Sequence, residues 1–114
     1  MKEGDIAKAA LQQSNNSFKI RPVLLLKKMP PFGDWLVCGI STQLKHEVNN
    51  FDIILSDSET GFENTGLLKS SLVRLGFLSV IPENIIEGSI GIISEEIYHK
   101  LISNLTEYLN NFSA

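Results

Sequence analysis

The run FKIRPVLLLKK, Phe18 to Lys28, decides how the chain reads. An arginine stands directly before a proline, and four branched apolar residues follow. A strand accepts proline near its start. The unbroken VLLL implies burial on both faces, so Ile20–Lys28 is predicted as a central strand. Arg21 then sits at the strand's mouth, fixed by Pro22, where its planar guanidinium suits a phosphate. The plainer alternative is a surface arginine on an edge strand.

Working outward, GDIAKAAL (Gly4–Leu11) reads as a first strand, joined to the second by the polar turn QQSNNS. MPPFGD makes the next turn, and WLVCGIST (Trp35–Thr42) is another apolar, β-branched run. QLKHEVNN is a polar connection, FDIILS (Phe51–Ser56) a strand, and DSETGFENTG a loop. LLKSSLVRLGFLSVI (Leu67–Ile81) reads as one bent strand or two short ones, with Gly76 at a bulge or break. PENIIEGSIGII is short and irregular. The last segment differs: Ser94 is a suitable N-cap and Glu95 and Glu96 follow it. Ile97, Leu101, Leu105, Tyr108 and Phe112 then recur at helical spacing, with Ile102 and Leu109 beside them. The expected fold is α+β, mainly β: five to seven short antiparallel strands on a small, strongly curved sheet or barrel, closed by one C-terminal amphipathic helix. Residues 1–114 read as a single domain.

The 114 residues carry 43% apolar and 20% charged side chains, which fits a globular protein able to bury one core. No apolar run approaches the roughly 20 residues of a membrane helix, and the N-terminus lacks the apolar stretch of a signal peptide. The lone Cys38 cannot form an internal disulfide and lies in an apolar run, as expected of a buried thiol in a reducing, cytoplasmic setting. One Cys and two separated His do not make a zinc site, and no metal or cofactor is expected. The net charge is −3, but unevenly spread: seven bases face six acids between Lys19 and Arg74, while five acids and only Lys100 follow Leu75. A local basic patch on the first two-thirds is compatible with that balance.

No Walker loop, dinucleotide fingerprint, HExxH or nucleophile elbow occurs. Candidate groups are Arg21; Ser41 and Thr42, whose hydroxyls end a strand; and Lys69, Ser70, Ser71 and Arg74. On a regular strand Lys69 and Ser71 would face one way and Ser70 and Arg74 the other. His46 is a candidate general base.

Several segments together resemble the MazF/PemK family of bacterial toxin–antitoxin toxins. They are GDI (Gly4–Ile6), RPVLLL (Arg21–Leu26), ISTQ (Ile40–Gln43), GLLKSSLVR (Gly66–Arg74) and IGIISEEIYHKL (Ile90–Leu101), in family order over nearly the whole chain. The resemblance implies an SH3-like barrel, a homodimer and a cytoplasmic, metal-independent endoribonuclease (an mRNA interferase, a hydrolase) neutralised by an antitoxin protein. It implies cleavage of single-stranded RNA at selected sequences, the 2′-hydroxyl attacking the adjacent phosphate to leave a 2′,3′-cyclic phosphate and a 5′-hydroxyl. Arg21 takes the position of the family's catalytic arginine, and Ser41 or Thr42 that of its strand-end threonine. Lys19, Lys69, Ser71 and Arg74 become RNA-binding candidates. Lys69 and Ser71 stand where some members carry Arg and Asp. A catalytically silent barrel that binds RNA or a peptide is the alternative.

Overall fold

Val23, Leu24, Leu25 and Leu26 are all fully buried. Leu24 and Leu26 belong to a first hydrophobic core, and Val23 and Leu25 to a second. Burying each such side chain contributes about 1.5–3 kcal/mol, so this segment anchors both sides of the sheet. It forms the middle of β2 (Phe18–Met29), which lies between β1 (Asp5–Gln12) and β3 (Asp34–Ser41). The computed structural model describes residues 1–112. Beyond these three strands come β4 (Ile53–Leu55), β5 (Ser71–Ile81), β6 (Ile86–Ile92) and the helix α1 (Glu95–Asn110). The six strands pair antiparallel in the order β4-β5-β3-β2-β1-β6, a half-barrel curled around the first core.

The helix lines that core with Leu101 and Leu105, packed near Ile6, Leu24, Leu26 and Val73. Ser94 caps it by accepting the Ile97 N–H at 3.1 Å, and Glu95 and Glu96 occupy its first turn. Tyr98 donates its hydroxyl to the Leu26 carbonyl at 2.6 Å, tying helix to β2. The outermost strands β4 and β6 do not pair; a 3-10 turn, Phe62–Thr65, packs against β6 instead. Contact there is so close that a Cβ on Gly91 would lie 2.2 Å from the Thr65 carbonyl carbon. The second core, on the opposite face, joins Ala7, Ala9, Val23, Leu25, Trp35 and Val37 to Ile81 and Ile86.

Four sequence expectations are corrected in detail. β2 starts at Phe18, four residues before Pro22. β5 is one strand, interrupted around Gly76 as expected, but Leu67–Ser70 lie outside it. The irregular segment PENIIEGSIGII holds the 3-10 turn Glu83–Ile85 and then β6, whose pairing with β1 shifts register twice and so breaks the alternation a strand normally shows. The apolar stripe of α1 outruns its core. The 16-residue helix is about 24 Å long at 1.5 Å per residue. At its far end Tyr108 stacks on Phe51 at a centroid distance of 5.0 Å, while Leu109 and Phe112 are exposed.

Candidate functional site

β2 and β3 are laddered from their connecting turn as far as Val23 and Gly39. From there β2 pairs only with β1, and β3 only with β5. The sheet therefore splits, and Pro22, with no N–H to give a ladder, sits where the β2–β3 ladder stops. Continued for two residues, the Val23–Gly39 register sets Arg21 against Ser41, one on each side of the split.

Cross-strand partners share a face of a sheet. Arg21 pairs with Ala9 and Lys19 with Leu11, both partners belonging to the second core. Arg74 pairs with Gly39, and Ser41 is two residues along β3 from that glycine. Lys19, Arg21, Ser41 and Arg74 thus stand on one face, around the mouth of the split. Successive same-face residues on a strand are about 7 Å apart, a spacing on the scale of a sugar–phosphate backbone. Lys19 and Arg21 are exposed, Ser41 and Arg74 partly so. Ser41 Oγ accepts the Gln43 N–H at 3.0 Å, which leaves its own hydrogen free to donate. Thr42 follows in an exposed bend outside the strand, so Ser41 is the hydroxyl in register with Arg21.

The other candidates separate. Ser71 is 2% exposed, pairs with Leu55 of the first core and donates to the Lys69 carbonyl at 2.8 Å. Its side chain is turned inward, which corrects its placement among surface contacts: it braces the Lys69 backbone instead. Lys69 is exposed, outside β5, and no ladder joins it to Arg21. Ser70 Oγ accepts the Asp57 N–H at 2.8 Å. His46 lies in an exposed 3-10 turn, Leu44–His46, away from the laddered face. Cys38 is buried in the first core, and desolvation, with Asp52 nearby, pushes its thiol up to about 12. It is inert.

Charge distinguishes the split. Among the described residues, ion pairs join Lys27 to Glu3 and Lys28 to Glu83, and His99 lies 3.5 Å from Glu95. None involves Lys19, Arg21, Lys69 or Arg74. Two guanidinium groups, an ammonium group and a hydroxyl donor thus share one face with no carboxylate paired to them. Such a set holds an anion with oxygen acceptors, a phosphodiester above all. It repels a divalent cation, and no three His, Cys, Asp or Glu side chains converge elsewhere among the described residues. A broad groove lies elsewhere, between α1 and residues 47–54, and its lining includes Glu47, Glu59, Glu96 and Glu107 against the single Lys100. Its acidity suits it poorly to a phosphate.

Three contributing residues were not singled out from the sequence. Gly39 lies opposite both Val23 and Arg74, and Phe77 covers it. A lone glycine inside the apolar run WLVCGIST was a usable sign of close approach. Asp52 is 8% exposed and accepts the N–H groups of Val48 and Leu75, each at 3.0 Å. That carboxylate occupies two backbone donors beside the start of β4, which holds only Ile53–Leu55 of FDIILS.

A curled half-barrel of six antiparallel strands with a C-terminal helix places the chain in a class of small, mainly β proteins. Within it, the chain belongs to the family of PemK-like, MazF-like toxins of type II toxin–antitoxin systems, whose sequence model matches residues 2–109. Among solved structures it is similar to the Mycobacterium tuberculosis toxin MazF-mt6, with a TM-score of 0.70 and 20% identity over 96% of this chain and 99% of that one. Compared by sequence with functionally curated proteins, the chain finds no match.

Proposed function

We propose that the protein is a metal-independent endoribonuclease toxin that cleaves single-stranded mRNA at selected sequences and is neutralised by a cognate antitoxin. The observation that carries this reading is the split between β2 and β3, where Arg21 faces Ser41 without a counter-charge. Family membership supports it. In this reading the 2′-oxygen of one nucleotide bonds to the adjacent phosphorus, and the bond to the 5′-oxygen of the next breaks. A 2′,3′-cyclic phosphate and a 5′-hydroxyl result. Negative charge grows on the non-bridging oxygens, and Arg21 is the group that stabilises it. Ser41 donates its hydroxyl to one of those oxygens. Arg74 and Lys19 hold neighbouring phosphates, with Lys69 adding charge at the margin. No carboxylate or imidazole is in register at the split, so the 2′-proton leaves to solvent and the 5′-oxygen takes its proton from solvent. The donors at the split are cations and hydroxyls, which favours a reaction without a divalent ion. A homodimer and a cytoplasmic location complete the proposal; no helix among the described residues is long and apolar enough to cross a membrane.

The missing carboxylate favours one second reading, a silent family member that binds RNA without cutting it. The deciding experiment incubates a long mixed-sequence RNA with purified protein in EDTA, wild type beside Arg21→Ala, and maps the fragment ends. Discrete cuts bearing cyclic phosphate, lost in the variant, are expected. RNA retained but uncut at every protein concentration selects the silent reading, and equal cutting by both proteins removes Arg21 from the chemistry. Sedimentation at micromolar protein tests the dimer, which a clean monomer of 12.7 kDa would refute.

A further inference from the structure

β5 is interrupted beside the split. Gly39 pairs with Arg74 and the preceding Cys38 pairs with Leu78, so Leu75, Gly76 and Phe77 have no partner on β3. The three residues diverge. Leu75 enters the first core, 1% exposed, and its N–H is held by the buried carboxylate of Asp52 at 3.0 Å. Gly76 forms an open apex, with nothing within 4 Å of the place a Cβ would occupy. Phe77 folds back over Gly39, its ring edge 3.1–3.2 Å from where a Cβ of that glycine would stand. The absent side chain of Gly39 is what makes room for the ring. Because that missing Cβ points to the second-core face, the ring lies on the same face as Arg21, Ser41 and Arg74. It is nonetheless 42% exposed.

An aromatic ring braced on one side, open on the other and set among unpaired cations is a platform for an unpaired base. We propose that Phe77 stacks on a nucleobase of single-stranded RNA whose phosphates lie along Arg21 and Arg74, and that the Asp52-anchored bulge exists to present it. The inference rests on the reading of the split as a phosphate site. It concerns base contact rather than chemistry, so the two can fail separately. A bulge that served core packing alone would need Leu75 inside but no exposed ring outside.

The test uses a pool of 2′-O-methyl oligoribonucleotides, which lack the attacking hydroxyl. Each carries one 2-aminopurine, with the other positions randomised. Wild-type protein quenches the fluorescence through stacking. Phe77→Leu abolishes the quench and weakens binding on the order of 10- to 100-fold, while Phe77→Trp restores both. Circular dichroism and sedimentation of each variant accompany the titration. Quenching that survives in Phe77→Leu overturns the proposal, as does a Phe77→Leu protein that sediments as a smaller species, since the ring would then belong to a subunit contact. Arg21→Ala loses cleavage and binds the oligonucleotide more weakly, but at saturating protein it still quenches. If Arg21→Ala still cleaves, the chemical reading falls whatever the quench reports.

Discussion

The two ends of β2 carry similar side chains and use them differently. Near the Met29 end, Lys27 pairs with Glu3 at 3.5 Å, while Lys28 pairs with Glu83 at 3.8 Å and lies 5.9 Å from the centre of the Trp35 ring. There β2 and β3 are fully laddered down to their connecting turn. Near the Phe18 end the same strands part, and Lys19 and Arg21 have no acidic partner among the described residues. A count of bases along the chain treats both ends alike. The structure separates them by asking which cations already have an anion. The net charge of −3 is therefore no obstacle to a phosphate site, because no acid of the described residues is paired with Lys19 or Arg21.

The contrast can be broken most directly by removing one cation from each end. Arg21→Ala is expected to lower the cleavage rate by about 10²–10³-fold or more, whereas Lys27→Ala leaves it unchanged. Initial rates on one RNA, with thermal melts to verify folding, decide the matter. Arg21→Lys sharpens the same point. It keeps the charge and loses the bidentate guanidinium, so a rate between wild type and Arg21→Ala is expected; full activity would mean that charge alone suffices. A smaller effect follows from Lys19→Ala, which should reduce the slope of log affinity against log salt for single-stranded RNA by about 0.7 if that side chain meets one phosphate.

At the paired end the effects are smaller still. Glu83→Gln removes the partner of Lys28, an exposed pair worth about 0.2–1 kcal/mol, and should shift chemical denaturation by no more than that without altering cleavage. Last comes Glu3. A backbone hydrogen bond, helped by Lys27 and opposed by slight burial, holds its carboxyl below its ordinary value of 4.5. Its contribution is full above that ordinary value and disappears as the pH falls through the lowered one. A slightly flatter acid limb of melting temperature is expected for Glu3→Gln than for wild type, and identical limbs would show that the exposed pair is screened.

Much of the architecture was legible because it is periodic. Continuous burial marked β2, and Ser94 followed by apolar residues at helical spacing marked α1. The motif Arg21–Pro22 was legible as a strand mouth, although the proline marks the end of one ladder and not the start of the strand. What could not be read depends on register. Whether Ser41 or Thr42 accompanies Arg21 follows from where β3 leaves the sheet. Ser71 turns inward because β4 pairs with β5 at that row. Phe77 reaches the face of Arg21 only because three residues of β5 lose their partners, and Asp52, 23 positions earlier in the chain than Leu75, holds that interruption in place.

The sequence by itself determined which segments are buried on one face or two, where the helix begins, and that an arginine with a restricted backbone would precede a proline. These are local matters, governed by side-chain periodicity and by the fixed geometry of the proline ring. The tertiary structure alone decided which cations keep their charge unpaired, which hydroxyl stands across from Arg21, and which aromatic ring lies beside it. Those depend on how strands register and where a ladder ends, and such pairings are made between residues the chain itself keeps far apart.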